Sequence, residues 1–298
     1  MKRNISYLLA LTLLCACNPD TWNLDVIGMI SGTSAGIDQR AEESFAYNDA
    51  HGYPVINAAS EEYKVYICTD THVDRSRTNW EQFIRDYHAD IDCPLAIHLG
   101  DLINAQNHWD YMRRPCDSIP ANPLKQDTLL VVAGNHDLYF NQWSEYVRLW
   151  KRSTYYAIVR TPTGKQDLYI FIDTGEGFLG QKQTEWLTNT LNWADGQGFR
   201  HIAVCTHTHL FKRDSSQGHT SNMPLEETYA LLHLLKQHNV EMFWCGHDHS
   251  REITNLGTMT AVIIDALFDR EPHPAYLIAN YGDEPVSFRF VELTPLVD

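Results

Sequence analysis

The stretch Val131-Val132-Ala133-Gly134-Asn135-His136-Asp137 joins an apolar run to a glycine and three polar side chains. The apolar run, which starts at residue 129, predicts a buried strand. Gly134 permits a sharp exit from that strand and a close approach of another backbone. The polar side chains would then cluster at the strand end. A loop of this kind is by itself about as often a turn as a site, so its recurrence elsewhere matters.

Four other apolar runs end in the same way. They are followed by Asp70-Thr71-His72, Gly100-Asp101, Thr206-His207 and Gly246-His247-Asp248-His249. These runs predict strands at 64–68, 95–99, 201–206 and 240–245, and helical patterns separate them, as expected for an α/β protein with a parallel or mixed sheet. Because carboxyl ends of parallel strands meet at one edge, the clusters could form one site. Extended backbone would aim Asp70 with His72, and His247 with His249, to the same side.

The residue types in these clusters indicate a metal site. Asp, His and Asn without Cys favour Mn, Fe or Zn over a thiolate site. Seven such side chains exceed what one tetrahedral ion uses, and two ions that share a carboxylate account for the number. A bridged pair about 3.5–4 Å apart serves in-line displacement at phosphorus.

The order D-x-H, G-D, G-N-H-D, H and G-H-x-H, from residue 70 to 249, resembles the calcineurin-like metallophosphoesterase superfamily. The resemblance implies a four-layer αββα sandwich of two mixed sheets flanked by helices. It also implies that His136 acts as the acid that protonates the leaving oxygen, paired with Asp70, or stabilises the phosphate. One ion would be held by Asp70, His72 and His249, the second by Asn135, His207 and His247, with Asp101 bridging.

Two departures from the family pattern refine the resemblance. Purple acid phosphatases carry Gly where His72 stands and Tyr where Asn104 stands, so this chain resembles the non-purple members, which include phosphodiesterases and monoesterases. The family's fourth motif usually has Pro at the place of His209. Alternation would put His209 on the same side as His207, and we predict that His207 is the ligand. We expect Asn104, His209 and His219, the last in the polar loop 210–224, to contact substrate.

The N-terminus has the features of a targeting segment. Lys2 and Arg3 precede a mostly apolar run at 5–14 that is too short to span a bilayer. The sequence Leu14-Cys15-Ala16-Cys17 resembles a bacterial lipobox, which implies lipidation of Cys17 and an extracytoplasmic protein, in the periplasm or at the cell surface, anchored to a bacterial membrane. Simple secretion is the alternative. We therefore divide the chain into a signal peptide (1–16), a tether with an N-terminal extension (17–62) and a metallophosphoesterase domain (63–298).

Net charge limits the partners that the chain can bind, and cysteine content limits the disulfides that it can form. The chain has 23 Lys and Arg against 38 Asp and Glu, a formal charge of −15 that becomes −17 when the signal peptide leaves with Lys2 and Arg3. Such a charge opposes binding to nucleic acid, so we expect none as a partner, and no protein partner is evident. Of the cysteines, Cys93 and Cys116 are the one pair considered for a disulfide.

The resulting expectation is a hydrolase with two metal ions that cleaves small phosphomonoesters or phosphodiesters by in-line attack of a metal-bound hydroxide. Two alternatives stay open. One is a catalytically silent, metal-binding cell-surface protein, and the other is a nuclease. The presence of His136 argues against a silent protein, because a scaffold needs ligands but no acid for a leaving group.

Overall fold

A computed structural model of the chain describes residues 35–124, 128–214, 218–220 and 222–295. Its helices are α1 (Ile37–His51), α2 (Thr78–Ala89), α3 (Trp109–Ser118), α4 (Trp143–Trp150), α5 (Gln181–Ala194) and α6 (Leu225–Gln237). Its strands are β1 (Val55–Asn57), β2 (Tyr63–Cys68), β3 (Leu95–His98), β4 (Leu129–Val131), β5 (Tyr155–Arg160), β6 (Gln166–Phe171), β7 (Ile202–Cys205), β8 (Lys212–Asp214), β9 (Gly218–Thr220), β10 (Met242–Cys245), β11 (Glu252–Asn255), β12 (Thr260–Ile263), β13 (Ala275–Tyr281) and β14 (Ser287–Glu292). Short 3₁₀ turns lie at Gln106–His108 and Tyr139–Asn141.

The strands form two mixed sheets and a small hairpin. A seven-stranded sheet has the order β1-β5-β6-β7-β10-β12-β11, and a five-stranded sheet has the order β14-β13-β2-β3-β4. Strands β2, β3 and β4 run parallel, as do β6, β7, β10 and β12, whereas β13 is antiparallel to β2 and β5 to β6. The predicted pair of mixed sheets flanked by helices is confirmed. The three-residue strands β1, β8 and β9 had no clear pattern in the sequence.

The central core lies between the two sheets. Val65 and Ile67 of β2 pack with Tyr169 and Phe171 of β6 and with Trp244 of β10 in one buried cluster. Successive side chains of a strand point to opposite faces, so the alternate residues of these strands face the helices. Strands covered on both faces read as continuous apolar runs, and this is why the sequence predicted them well.

Helices cover the outer faces of both sheets. Trp80 and Phe83 of α2 pack with residues of α3, of α4 and of the outer face of the five-stranded sheet. Leu187 of α5 and Leu231 of α6 pack on the outer face of the seven-stranded sheet. The layers therefore follow the order helix, sheet, sheet, helix. In the described part of the chain, no helix is long and apolar enough to cross a membrane.

The N-terminal extension packs against this sandwich. Helix α1 contacts α5, and β1 pairs in parallel with β5 at the edge of the seven-stranded sheet. Residues 37–57 thus add a helix and a strand to the unit that begins at residue 63. Cys17 lies outside the described residues, so its lipidation stays a prediction that a mass measurement of the mature chain would test.

A carboxylate from a distant part of the chain caps helix α2. The helix begins at Thr78, where the carboxylate of Asp269 accepts the backbone N–H groups of Thr78 and Asn79, both at 2.8 Å. Asp269 is 190 residues away, so no local pattern could reveal this cap. The pairing of Cys93 with Cys116 is wrong, because the two cysteines form no disulfide in the structure.

Replacing Asp269 by Ala should lower the free energy of unfolding by about 1–2 kcal/mol, since the first turn of α2 loses the acceptor for its N–H groups. Urea denaturation would measure the change. Asp117→Ala is the matched control, because it removes only an exposed i,i+4 ion pair with Arg113 and should cost less than about 0.5 kcal/mol. Equal effects of the two substitutions would contradict the capping role.

Candidate metal centre

The five polar clusters meet where the carboxyl-terminal ends of strands from both sheets come together. Asp70, Asp101 and Asn135 follow β2, β3 and β4 of the five-stranded sheet. His207 and His247 follow β7 and β10 of the seven-stranded sheet. The parallel order of these strands brings distant parts of the chain to one edge, as the sequence predicted.

The backbone at these strand ends is left-handed rather than extended. In the described residues, nine non-glycine residues have positive φ, and five of them are candidate ligands: Asp70 (50°), His72 (39°), Asp101 (54°), His247 (74°) and His249 (53°). Alternation along an extended strand is therefore the wrong reason for their orientation. Positive φ costs about 1–3 kcal/mol at each such residue and persists where surrounding structure imposes it, which is common at functional sites.

Two of the glycines allow the strand ends to approach closely. A Cβ atom at Gly134 would collide with the backbone and carboxylate of Asp101. A Cβ atom at Gly246 would collide with the side chains of Thr69 and Asp70. Gly134 and Gly246 therefore let the loops of one strand end pack directly on the carboxylate of another.

The candidate ligands form two groups that are joined by Asp101. Asp70, His72 and His249 make one group, and Asp101, His207 and His247 make another, with one ligand atom from each residue within 4.8 Å of the others in its group. The Asp101 Oδ2 atom is 3.7 Å from His72 Nε2 and 3.5 Å from His207 Nε2, so it lies between the groups. Asn135 joins the second group through Oδ1, which is 3.0 Å from His207 Nε2.

Each buried carboxylate keeps one oxygen for the centre. Asp70 Oδ2 accepts the backbone N–H of His247 at 2.8 Å, and Asp101 Oδ1 accepts that of His136 at 2.8 Å. The other oxygen of Asp70, Oδ1, is buried and accepts no hydrogen bond from the described residues. It faces His249 Nε2 at 3.4 Å and His72 Nε2 at 3.8 Å.

The electrostatics show that the centre attracts positive charge. Although burial opposes ionisation, the neighbouring histidines hold the pKa of Asp70 and of Asp101 below its usual range. Burial alone would lower the pKa of the histidines, but Asp101 raises the pKa of His207 to about 10 and Asp70 raises that of His249 to about 9. Burial lowers the pKa of His72 and of His247 to about 4.

A cleft of about 450 Å³ opens over these groups. Besides five of the seven candidate ligands, all but Asp70 and His207, its walls comprise Asn104, His136, Asn222, Asp248 and Phe268. The ring of His136 lies 4.5 Å from that of His72 and 5.0 Å from that of Tyr139. One ring nitrogen of His136 lies within 4.8 Å of ligand atoms of His72 and Asp101, so His136 stands beside both ligand groups.

Residues 63–251 match the family model of calcineurin-like phosphoesterases. The chain belongs to this family. Solved structures share the phosphoesterase fold. GAP50 of Plasmodium, the anchor in the inner membrane complex, is 13% identical over 78% of this chain and 84% of its own, with a TM-score of 0.56. A candidate 5'-nucleotidase from Staphylococcus aureus, in complex with α-ketoglutarate, is 16% identical over 80% of this chain and 55% of its own, with a TM-score of 0.50. No protein of curated function matches the sequence.

The donor set of this phosphoesterase fits the divalent metal ions that the family uses. Imidazole nitrogens, carboxylate oxygens and an amide oxygen converge, and Asp70 Oδ1 is buried without a hydrogen bond from the described residues. Borderline ions accept this combination. The charge of two buried carboxylates also requires compensation, which a bound cation would supply. The phosphoesterase is therefore metal-dependent.

The other predicted residues lie in different surroundings. Asn104 lines the cleft of the phosphoesterase. His209 is buried and belongs to neither ligand group, with its Nε2 atom 3.2 Å from Asp248 Oδ2. Lys212 Nζ approaches the same oxygen at 2.9 Å. The side chain of His219, on β9, lies outside the described residues.

Three contacts that orient ligands were missed at the sequence level. His207 Nδ1 donates to the carbonyl of Leu99 at 2.9 Å, which leaves Nε2 for the centre. Glu271 Oε2 is 3.3 Å from His249 Nδ1. The amide nitrogen of Asn135 donates to the hydroxyl of Tyr139 at 2.9 Å, which leaves Oδ1 toward His207. The four-residue spacing of Asn135 and Tyr139 could have suggested the last contact, but Glu271 had no local pattern.

Asp137 holds together the loops that carry Asn135 and Asp101. It is fully buried, and its carboxylate accepts the backbone N–H groups of Gly134 and Leu102, both at 2.9 Å. Burial, assisted by the nearby charge of Asp101, raises the pKa of Asp137 well above its usual range. Asp137 thus links the loop of Asn135 to the loop of Asp101.

Replacing Tyr139 by Phe should weaken binding of Mn²⁺ at one of the two groups by about tenfold, since Asn135 loses the contact that orients its amide. The ring against His136 is kept, so the change isolates the hydroxyl. Calorimetric titration of metal-free protein would measure it. Tyr229→Phe, at an exposed tyrosine of α6, is the control and should bind as the wild type. Unchanged affinity in Tyr139→Phe would refute the orienting role.

Proposed function

We propose that this phosphoesterase hydrolyses small phosphomonoesters or phosphodiesters with two metal ions. Asp70, His72 and His249 would hold one ion, and Asn135, His207 and His247 would hold the other. The position of Asp101 supports this proposal most directly, because one of its oxygens lies within 3.7 Å of a nitrogen from each group. A carboxylate shared in this way is the usual bridge of a two-metal site.

The protein's own groups have separable tasks in this reaction. When bound, the ions would neutralise phosphoryl charge and lower the pKa of the attacking water. His136 stands on the cleft wall beside both groups, where it can give a proton to the leaving oxygen. The backbone N–H of His136 donates to Asp101 Oδ1, which ties the position of the acid to the bridging carboxylate. The ring of Phe268, 5.6 Å from that of His72, adds an apolar wall.

The competing proposal is a catalytically silent protein that kept the metal cluster. The placement of His136 in the cleft favours hydrolysis, since metal binding needs no acid there. Hydrolysis of p-nitrophenyl phosphate and of its bis-ester, with Mn, Fe or Zn supplied, would separate the two. Bound metal with no turnover of any phosphoester would favour the silent protein.

Replacing His136 by Ala should lower turnover by about 10²–10⁴-fold, the usual contribution of a general acid, while bound metal stays near the wild-type amount. Asp101→Ala is the reciprocal variant. It should empty at least one group, because a shared carboxylate serves both ions. Elemental analysis and steady-state kinetics measure the two effects. Loss of metal from His136→Ala would move His136 into the ligand set.

Small substrates are favoured over nucleic-acid polymers. Among the described residues that line the cleft there is no Lys or Arg, and the chain carries a formal charge of −15. Both facts disfavour a long polyanion, whereas the ions would suffice for a single phosphoryl group. We therefore expect kcat/KM for a nucleotide or cyclic nucleotide to exceed that for a single-stranded oligonucleotide at equal, moderate salt. Faster cleavage of the oligonucleotide would favour a nuclease.

A further inference from the structure

One buried arginine of this phosphoesterase lies outside the segment that matches the family. Arg40 lies on α1, before residue 63, and its side chain is 0% exposed. Its Nε atom donates to Asp173 Oδ2 at 2.9 Å, and a terminal nitrogen donates to Asp173 Oδ1 at 3.1 Å. The other terminal nitrogen donates to the carbonyl of Ala35 at 2.7 Å and lies 3.2 Å from Glu176 Oε1.

Such a pair is better suited to fixing geometry than to adding stability. A buried ion pair gives little net stability compared with apolar residues of similar volume, because both charges lose their hydration. A two-pronged contact between guanidinium and carboxylate does, however, define the plane and direction of both groups. Arg40 therefore holds the carboxylate of Asp173, which follows β6, in one orientation.

The next residue of that loop holds both neighbours of His207. Thr174 Oγ1 lies 2.7 Å from Thr206 Oγ1 and accepts the backbone N–H of Thr208 at 2.8 Å. The hydroxyl of Thr208 donates to the carbonyl of Thr174, also at 2.8 Å. All three threonines are fully buried. The position of His207 is thus tied to the loop that starts at Asp173.

The same loop supports the strand end that leads to Asn135. The backbone N–H of Gly175 donates to Asp173 Oδ1 at 3.1 Å, so this oxygen accepts from both Arg40 and Gly175. A Cβ atom at Gly175 would lie 3.1 Å from the backbone of Gly134 and 2.7 Å from a methyl group of Leu138. The loop therefore packs on the backbone immediately before Asn135.

We propose that Arg40 is a positioning residue for the second metal group. It acts through Asp173 and the loop 173–175, which sets the places of His207 and Asn135. The metal titration that tests this proposal rests on the proposed two-metal function, whereas the hydrogen-exchange test does not. The first group has supports outside the loop 173–175, since the hydroxyl of Thr69 donates to Asp70 Oδ2 at 2.6 Å and Glu271 contacts His249.

The test uses Arg40→Lys, which keeps the charge and loses the two-pronged contact, and Arg40→Met, which loses both. Calorimetric titration of the metal-free full chain with Mn²⁺ should show one class of site weakened about 10–100-fold and the other unchanged. Lys182→Met is the matched control. It removes the exposed Lys182–Glu42 ion pair between α1 and α5 and should change neither class.

A double variant separates positioning from stability. Arg40→Met with Asp173→Leu replaces the ion pair by apolar side chains, which should restore resistance to urea relative to Arg40→Met. The double variant also removes the acceptor for the N–H of Gly175, so the second group should remain weak. If the double variant regained wild-type affinity at both classes of metal site as well as resistance to urea, the proposal would be overturned. Arg40 would then serve only to hold α1 against the rest of the protein.

Hydrogen exchange gives a readout that needs no metal. In metal-free Arg40→Lys, the segment 206–208 should exchange faster than in the wild type, since Thr208 donates its N–H to the loop. Unchanged exchange there would refute the link from Arg40 to His207. The wild type could bind fewer than two ions while segment 206–208 still exchanges faster in Arg40→Lys. That result would refute the two-metal function and keep the link from Arg40 to His207.

Discussion

Two buried carboxylates, Asp70 and Asp101, set the main constraint on this protein. Each is within 2% of complete burial, and each directs one oxygen into a space lined by imidazole nitrogens. Uncompensated charge in such a place is costly, so a cation or a protonated histidine must accompany it. Against the effect of burial, the carboxylates raise the pKa of His207 to about 10 and that of His249 to about 9.

Other buried carboxylates hold the loops around the centre. Asp137 binds the N–H groups of two strand-end loops, Asp173 binds Gly175 and Arg40, and Asp269 caps α2. In each case the carboxylate accepts hydrogen bonds from backbone N–H groups that have no partner in a helix or sheet. These N–H groups are therefore satisfied away from water. The left-handed residues of the centre are held by further hydrogen bonds, since the N–H groups of Asp70 and His72 donate to the carbonyls of Gly100 and Asp101, and that of His247 to Asp70 Oδ2.

The family-matched segment and the folded unit differ in extent. The match covers residues 63–251, whereas β13 and β14 complete the five-stranded sheet and α1 and β1 join the seven-stranded one. Asp269 and Glu271, both beyond residue 251, contact α2 and a candidate ligand. The added segments thus take part in the structure that surrounds the centre.

The sequence by itself determined the long buried strands and the identity of the clusters, because burial leaves a local pattern that each apolar run displays, and the resemblance to the family supplied the order of the layers. Val131 to Asp137 shows this in seven residues. Only the tertiary structure decided how the side chains face one another. The left-handed turn at His249, the cap from Asp269 and the pairing of Arg40 with Asp173 depend on residues over 130 positions apart or on packing. Alternation left His207 and His209 equivalent, and the fold distinguished them by turning His209 toward Asp248.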